Sequence, residues 1–573
     1  MNKLRPIILA FAVALSALLA YGLFTLPSPR PADAAGFSSA RVVKDIEVIS
    51  KEHHSVAHPE ERAAVREYLI GRLEALGADS VKVFRYDSLV GPKNKHVEYT
   101  FDAYDILAEY PPLKESDNPA YLMFVAHYDS RYSQPFAKDT VWSYGAADDG
   151  YGVGVILETV SQLLKQREHW TQGVKVLFTD AEEVGMMGMT AIWENDRHVF
   201  DNVGLVINVE ARGPWGPALL FEACPGNEKV LDLYASNAKY RYTYSLTTVV
   251  YQFMPNFTDF TIIKDEMPGL NFSTIADVNR YHTHHDNFCN ISEKSIQHYG
   301  EQILPIALEY IKSEKYSDKD ALRADADATN FTIPAIGMLN FSKIGFIIFN
   351  VSIFLVFLLL FALEGIRGRI NAAQVFRISC VVLLSAVGIL LFGELVAFIC
   401  GKVAGVQFKL FGTMQGIMFD NVAMIGAVAF VTLLTVIVYM LRRSKKVRAV
   451  SGSMRASAII NTATHNAYNV LYGTLVLLMI LSVALLLTIG ETMMFIIPLC
   501  CATFAMVLYH LTNLRIWLPV AIVMILLHAF SFYYALAMAL TIGALGAVMM
   551  LAFFDLMVII PLADLYLMPT RKK

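Results

Sequence analysis

Residues 120–130 read Ala-Tyr-Leu-Met-Phe-Val-Ala-His-Tyr-Asp-Ser. The first seven, Ala120–Ala126, form an unbroken apolar run of strand length, apolar enough to be covered on both faces. The run stops abruptly on His127, Tyr128 and Asp129. Working outward, the same pattern recurs at Val174–Phe178 and Val203–Val209. Gly152–Leu164 and Thr190–Trp193 read as helical stretches between these strands. Upstream, Ala63–Leu76 sets Val65, Leu69, Leu73 and Leu76 on one stripe, and Gly77 stops it. Strands alternating with helices predict an α/β domain built on a mostly parallel sheet with helices on both faces. Ligands of such sheets gather at the carboxyl ends of the strands. The polar residues that close each run are therefore the place to look for chemistry.

The rest of the chain is of another kind. Of 573 residues, 55% are hydrophobic and 17% charged, against about 25% charged in a typical soluble chain. This excludes an ordinary soluble protein and a disordered one. Residues 345–573 hold 15 Lys+Arg against 6 Asp+Glu, so by difference from the totals of 47 and 51 the remainder holds 32 against 45. The acidic N-terminal part does not suit a nucleic-acid groove. The apolar, basically punctuated remainder looks like a membrane domain.

The first apolar run, Ile7–Leu26, is long enough to span a bilayer. It reads as an uncleaved anchor, although Ala32-Asp33-Ala34 could serve as a signal-peptide cleavage site. Further spans are expected near 345–364, 376–400, 418–441, 466–488, 493–511, 516–535 and 539–566, eight in all, or nine if 530–567 hides another break. Domain boundaries follow: an anchor and linker at 1–30, one domain at 31–340, and a transmembrane domain of about seven helices at 341–573. Lys3 and Arg5, then Arg367, Arg369 and Arg377, the cluster from Arg442 to Arg455, Arg515, and the tail Arg571-Lys572-Lys573 all fall on one side. The positive-inside rule makes that side cytoplasmic, with both termini on it, and puts 31–340 in the periplasm or a lumen. Five Asn-x-Ser/Thr sequons lie between 256 and 342. Glu394, Asp420, His528 and Asp555 fall in or near spans, a weak transporter signal without repeat symmetry. Of the six cysteines only Cys224 and Cys289 lie in the polar half; they could pair, but spacing alone cannot show it.

Five groups carry chemistry. His127-Tyr128-Asp129 ends the first strand, with His127 and Asp129 on one side of it. Asp148-Asp149, in Gly145-Ala146-Ala147-Asp148-Asp149-Gly150, opens a helix; Asp149 reads as a cap and Asp148 as a group beside a metal. Glu182-Glu183 follows the second strand, where paired carboxylates repel unless a cation or proton intervenes. Glu210, in Asn208-Val209-Glu210, ends the third. The fifth group is Tyr281-His282-Thr283-His284-His285-Asp286. Each alone is weak. Together they bring histidines and carboxylates, without thiolates, to the ends of successive strands, a donor set that suits zinc or a similar divalent ion. The surplus of carboxylates over one tetrahedral site argues for two ions sharing a bridge.

This order of motifs resembles the co-catalytic di-zinc aminopeptidases, the family of aminopeptidase Y and glutamate carboxypeptidase. The resemblance covers roughly 40–315, including His58-Pro59 and the helix through Leu76-Gly77. The anchor and multi-span tail look like the vacuolar membrane protease and endoplasmic reticulum metallopeptidase branch. The resemblance implies that Asp148, Glu183 and His282 hold one Zn²⁺, and that Asp148, Glu210 and His127 hold the other. It implies Glu182 as general base and Tyr281 as a group that polarises the substrate carbonyl. Asp129 becomes the partner behind His127, and Asp286 a second supporting carboxylate. His284 and His285 receive no role. One departure is Tyr151, where secreted relatives commonly have Ser. The expected activity is release of N-terminal residues from peptides with a free N-terminus. The competing readings are a single-zinc glutaminyl cyclase, a transferrin-receptor-like binding module, and an accessory ectodomain on a transporter.

Overall fold

The computed structural model describes residues 4–23, 26–91, 100–113, 119–132, 142–252, 256–417, 419–451 and 456–568. Lys3, Arg455, Arg571, Lys572 and Lys573 of the basic clusters lie outside the described residues. The chain divides into two compact units. One comprises Phe24–Thr332 and Met338–Lys343; the other comprises Met1–Leu23, Ile333–Gly337 and Ile344–Lys573.

The first unit is built on a seven-stranded sheet. Its strands are β1 (Ser80–Val90), β2 (Thr100–Tyr110), β3 (Tyr121–His127), β4 (Gly173–Thr179), β5 (Val203–Ala211), β6 (Trp215–Ala223) and β7 (Gly269–Ala276), in the order β1-β2-β4-β3-β5-β7-β6. The four central strands, β4-β3-β5-β7, are parallel. β4 and β5 are buried throughout, which is why they read as largely apolar runs, broken only by Lys175 and Asn208 before their polar ends. The sheet as a whole is mixed, because β1, β2 and β6 pair antiparallel at its flanks. Only nine residues separate β1 from β2, and parallel neighbours need a long crossover, usually helical. On one face the helices Ser39–Ile49, Gly150–Leu164 and Glu293–Lys312 pack on one another. On the other, Met187–Asn195 packs on Asp259–Ile263, and these two meet β2 and β3.

The turn after β4 is clamped from below. Asp180 accepts from the Arg62 guanidinium at 3.1 Å and from the backbone amides of Tyr104 and Ala181 at 2.9 and 2.8 Å. Both charged side chains are buried. Burial pushes the Asp180 carboxyl up to about 6 despite Arg62, so without its partner it would take up a proton rather than remain a bare charge. Arg62→Ala is accordingly expected near the lower end of the about 3–5 kcal/mol that breaking a buried pair costs. Thermal melting of the purified chain measures this; an unchanged melting temperature would contradict it.

The second unit is all helical: Arg5–Leu23, Lys343–Ile366, Ala372–Ala404, Asp420–Ser451, Ala456–Thr488, Met493–Thr512, Trp517–Leu540 and Leu545–Leu567. Among the described residues seven stretches are long and apolar enough to cross a membrane, as in a multi-pass membrane protein. The last, Trp517–Leu567, is 51 residues long and contains the final two helices, separated by a 3-10 turn at Thr541–Ala544. The spans expected at 516–535 and 539–566 fall on those two helices. Ile344, Leu359, Leu384, Val422 and Leu487 expose large apolar side chains, as a surface facing lipid tails would. Glu394, Asp420, His528 and Asp555 are buried, and Asp555 accepts from the Tyr533 hydroxyl. Cys224 is buried, Cys289 is exposed, and both are free.

Candidate metal centre

Strand register assembles the site. His127 stands opposite Thr179 across β3 and β4. Val125 stands opposite Asn208 across β3 and β5. Glu210, two residues beyond Asn208, therefore reaches the same edge as His127, two residues beyond Val125. Asp148 enters from the loop before the helix Gly150–Leu164, Glu183 from the turn after β4, and His282 from the loop after β7.

Two clusters result, His127–Asp148–Glu210 and Asp148–Glu183–His282, each with its donor atoms within 4.8 Å of one another. His127 Nε2 lies 3.3 Å from Asp148 Oδ1 and 3.7 Å from Glu210 Oε2. His282 Nε2 lies 3.2 Å from both Asp148 Oδ2 and Glu183 Oε2. Asp148 thus turns one oxygen to each cluster. Zinc bonds of about 2.0 Å at tetrahedral angles would set ligand atoms roughly 3.3 Å apart, so the spacing fits. Asp148 Oδ2, Glu183 Oε1 and His282 Nε2 are buried yet make no hydrogen bond among the described residues. Buried polar atoms are ordinarily paired, and a cation is the partner this donor set suits.

The supporting contacts are specific. His127 Nδ1 donates to the Asp129 carbonyl at 2.9 Å, which leaves the Nε2 lone pair directed at the cluster. The Asp129 carboxylate accepts from the backbone amides of Glu182 at 2.9 Å and Glu183 at 3.4 Å, tying the ends of β3 and β4 together. Asp286 accepts from the backbone amides of Ala147 at 2.7 Å and Asp148 at 3.3 Å, and from the Ser143 hydroxyl at 3.1 Å. Asp149 caps its helix, accepting from Gly152 N at 2.9 Å, and the Asp148–Asp149 peptide bond is cis. The Tyr281 ring stacks on His282 with centroids 3.6 Å apart. His282 has a φ of 59°, an uncommon conformation for a non-glycine residue that recurs at functional sites. His284 and His285, both exposed, lie with ring centroids 4.1 Å apart and planes tilted by 43°, and enter neither cluster.

Sequence reasoning passed over three contributors. Arg131 donates to the Glu183 carboxylate at 3.2 Å. Asn208, quoted only as a neighbour of Glu210, donates to the Glu210 carboxylate at 3.3 Å and to Asn271 at 2.9 Å. Asp259 is buried beside the end of β4 and accepts from the Thr179 hydroxyl. Arg131 and Asp259 lie outside the apolar runs, and Asn208 interrupts one. Only the Thr258-x-x-Thr261 spacing, which forms a capping box, marks the neighbourhood of Asp259.

Crowded carboxylates shift one another. Burial, then the charges of Glu210 and Glu183 against that of His127, pushes Glu182 well above its usual range. Glu210 is pushed well up and Glu183 up, in both cases chiefly by burial. Burial and the Asp148 charge push Asp286 up to about 7. Burial opposes protonation of His127, but Asp129 and Asp148 outweigh it and the imidazole is raised well above 6.5. Against burial, the neighbouring His127 and His282 imidazoles hold Asp148 low. In metal-stripped protein the raised groups bind more protons folded than unfolded, so stability falls as pH rises above about 4.5. Asp148 acts in the opposite sense, but only below its ordinary 3.8. A divalent charge at each cluster reverses this balance. Chelator-treated protein is therefore expected to melt at a lower temperature at pH 8 than at pH 5.5, and added zinc to reverse the order. A chelated form with a flat melting profile would contradict the assignment.

Residues 105–307 match the family model of Peptidase family M28. All members of the two clusters fall inside that stretch. Human endoplasmic reticulum metallopeptidase 1 is 30% identical over 189 residues, covering 31% of this chain and 19% of that protein. Vacuolar membrane protease of Lodderomyces elongisporus is 27% identical over 289 residues, covering 47% of this chain and 28% of that one. The matches thus span less than a third of either relative. The solved structure of a leucine aminopeptidase precursor from Bacteroides thetaiotaomicron is 19% identical, with a TM-score of 0.38 over 48% of this chain and 98% of that one, too loose a superposition to carry functional argument. Two His/Asp/Glu clusters positioned to coordinate metal ions thus lie in a stretch that matches the M28 peptidases, in a chain that also carries a multi-span apolar helical region.

Proposed function

We propose that this protein is a membrane-anchored, two-zinc aminopeptidase. The observation that carries the reading is Asp148, shared by two clusters, with Glu182 directly before the Glu183 ligand. Asp148, Glu183 and His282 would hold one ion, and Asp148, Glu210 and His127 the other. Bound zinc would supply Lewis acidity, polarising the scissile carbonyl and acidifying the attacking water. Glu182 takes the proton from that water and returns it to the leaving amine. Tyr281, braced against His282, donates to the developing oxyanion. Asp129 and Asp286 hold the ligands in place.

The basic clusters of the second unit support cytoplasmic termini and an extracytoplasmic peptidase domain. Packing of Arg5–Leu23 on Trp517–Leu540 supports a retained anchor. The acidic N-terminal part suits peptide amines rather than nucleic acid. The test is hydrolysis of an aminoacyl chromogenic panel by the full chain in detergent, beside the same compounds N-acetylated. Cleavage confined to free amines is expected; equal cleavage of blocked substrates would refute the aminopeptidase reading.

A further inference from the structure

Asp259 opens the short helix Asp259–Ile263, whose start is fixed by reciprocal bonds between Thr258 and Thr261. The residue is 1% exposed. Its Oδ2 accepts the hydroxyl of Thr179, while its Oδ1, fully enclosed, makes no hydrogen bond among the described residues. Thr179 is the last residue of β4 and the register partner of His127, so this carboxylate sits at the catalytic edge of the sheet, on the side of the His127–Asp148–Glu210 cluster.

The groups around Asp259 cannot satisfy it. Its charge acts on Glu182 and Glu210, and it feels His127 and Asp129 in turn. Three of these are carboxylates. His127 spends Nδ1 on the Asp129 carbonyl and faces Asp148 and Glu210 with Nε2. Asp259 belongs to neither metal-holding cluster. A buried carboxylate oxygen without a donor is costly. A ligand bringing concentrated positive charge and several N–H donors would relieve the cost, and an ammonium carries three.

Resting on the peptidase reading, we propose that Asp259 receives the free α-ammonium group of the substrate. In an N-terminal residue the amine and the scissile carbonyl carbon are separated by a single carbon. A carbonyl placed for Glu182 therefore brings the amine to the neighbouring groups, among which Asp259 Oδ1 is an acceptor still lacking a donor. Recognition of a free N-terminus would then rest on a residue outside the metal sets.

Two ligands that both grip zinc through a hydroxamate separate the terms: leucine hydroxamate and its des-amino counterpart, 4-methylpentanoyl hydroxamate. Their affinities are measured by calorimetry on zinc-loaded full-length protein. Wild type is expected to prefer the amino compound by about 10- to 100-fold, the worth of a hydrogen bond to a charged group. Asp259→Asn, which can still accept from Thr179, should abolish that preference and leave des-amino binding unchanged. Thr179→Val, which removes the hydroxyl that orients the carboxylate, should reduce the preference in the same direction and serves if the Asn variant does not fold. An Asn variant that keeps the preference, or that weakens both ligands equally, would overturn the proposal. Hydrolysis separates the two claims. If wild type cleaves no free-amine substrate, the peptidase reading fails. If wild type cleaves them and the preference survives in the variant, only the role of Asp259 is lost.

Discussion

Glu182→Gln should lower hydrolysis of aminoacyl substrates by about 10²–10⁴-fold, the usual worth of a positioned general base, with both zinc ions retained. Glu182 belongs to neither cluster, so an isosteric amide removes the proton acceptor without removing a metal ligand. Its backbone amide, bonded to Asp129 at 2.9 Å, is untouched, and the turn carrying Glu183 should keep its shape. The variant is therefore expected to bind hydroxamates nearly as wild type does while turning over slowly. Parallel loss of zinc and activity would instead place Glu182 among the ligands. Full activity with full zinc would remove it from the mechanism.

Asp148→Ala should have the largest effect on metal binding. Loss of a group that merely supports a ligand costs about 10–100-fold in metal affinity; Asp148 offers an oxygen to each of the two clusters, at 3.3 Å from His127 and 3.2 Å from His282. Its removal should weaken both sites by more than that, while taking away a negative charge that raises both Glu183 and Glu210. A ligand at 1,000 times its dissociation constant stabilises the folded state by about 4 kcal/mol. The zinc-dependent rise in melting temperature should accordingly vanish in this variant. Glu210→Ala should weaken one ion and leave the other. An Asp148 variant that loses only one ion would show that the carboxylate is not shared.

The central strands were legible because burial on both faces leaves little room for polar residues, so β3, β4 and β5 appear as runs that are apolar but for the paired Lys175 and Asn208, and their polar ends mark the site. The flanking strands were not. β1 is half exposed along its length, so its apolar residues never form a run. β7 carries Asn271, Ser273 and Thr274 in a buried strand, tolerated because Asn271 bonds Asn208, Glu222 and Thr258 at 2.9–3.1 Å. The mixed sheet follows from strands whose polar residues are paired rather than absent. The metal-holding residues were legible by type and order, but their grouping depends on register and on the loop carrying Asp148, held by Asp286 from 138 residues downstream. Asp259 and Arg131 act through contacts distant in sequence, which no local spacing announces.

The most direct test is the zinc content of the full-length chain, purified in detergent and titrated with chelator. The account predicts about two zinc ions per chain, released in two steps, with hydrolysis tracking occupancy of the pair. A single ion at full activity would contradict a centre built around a shared Asp148.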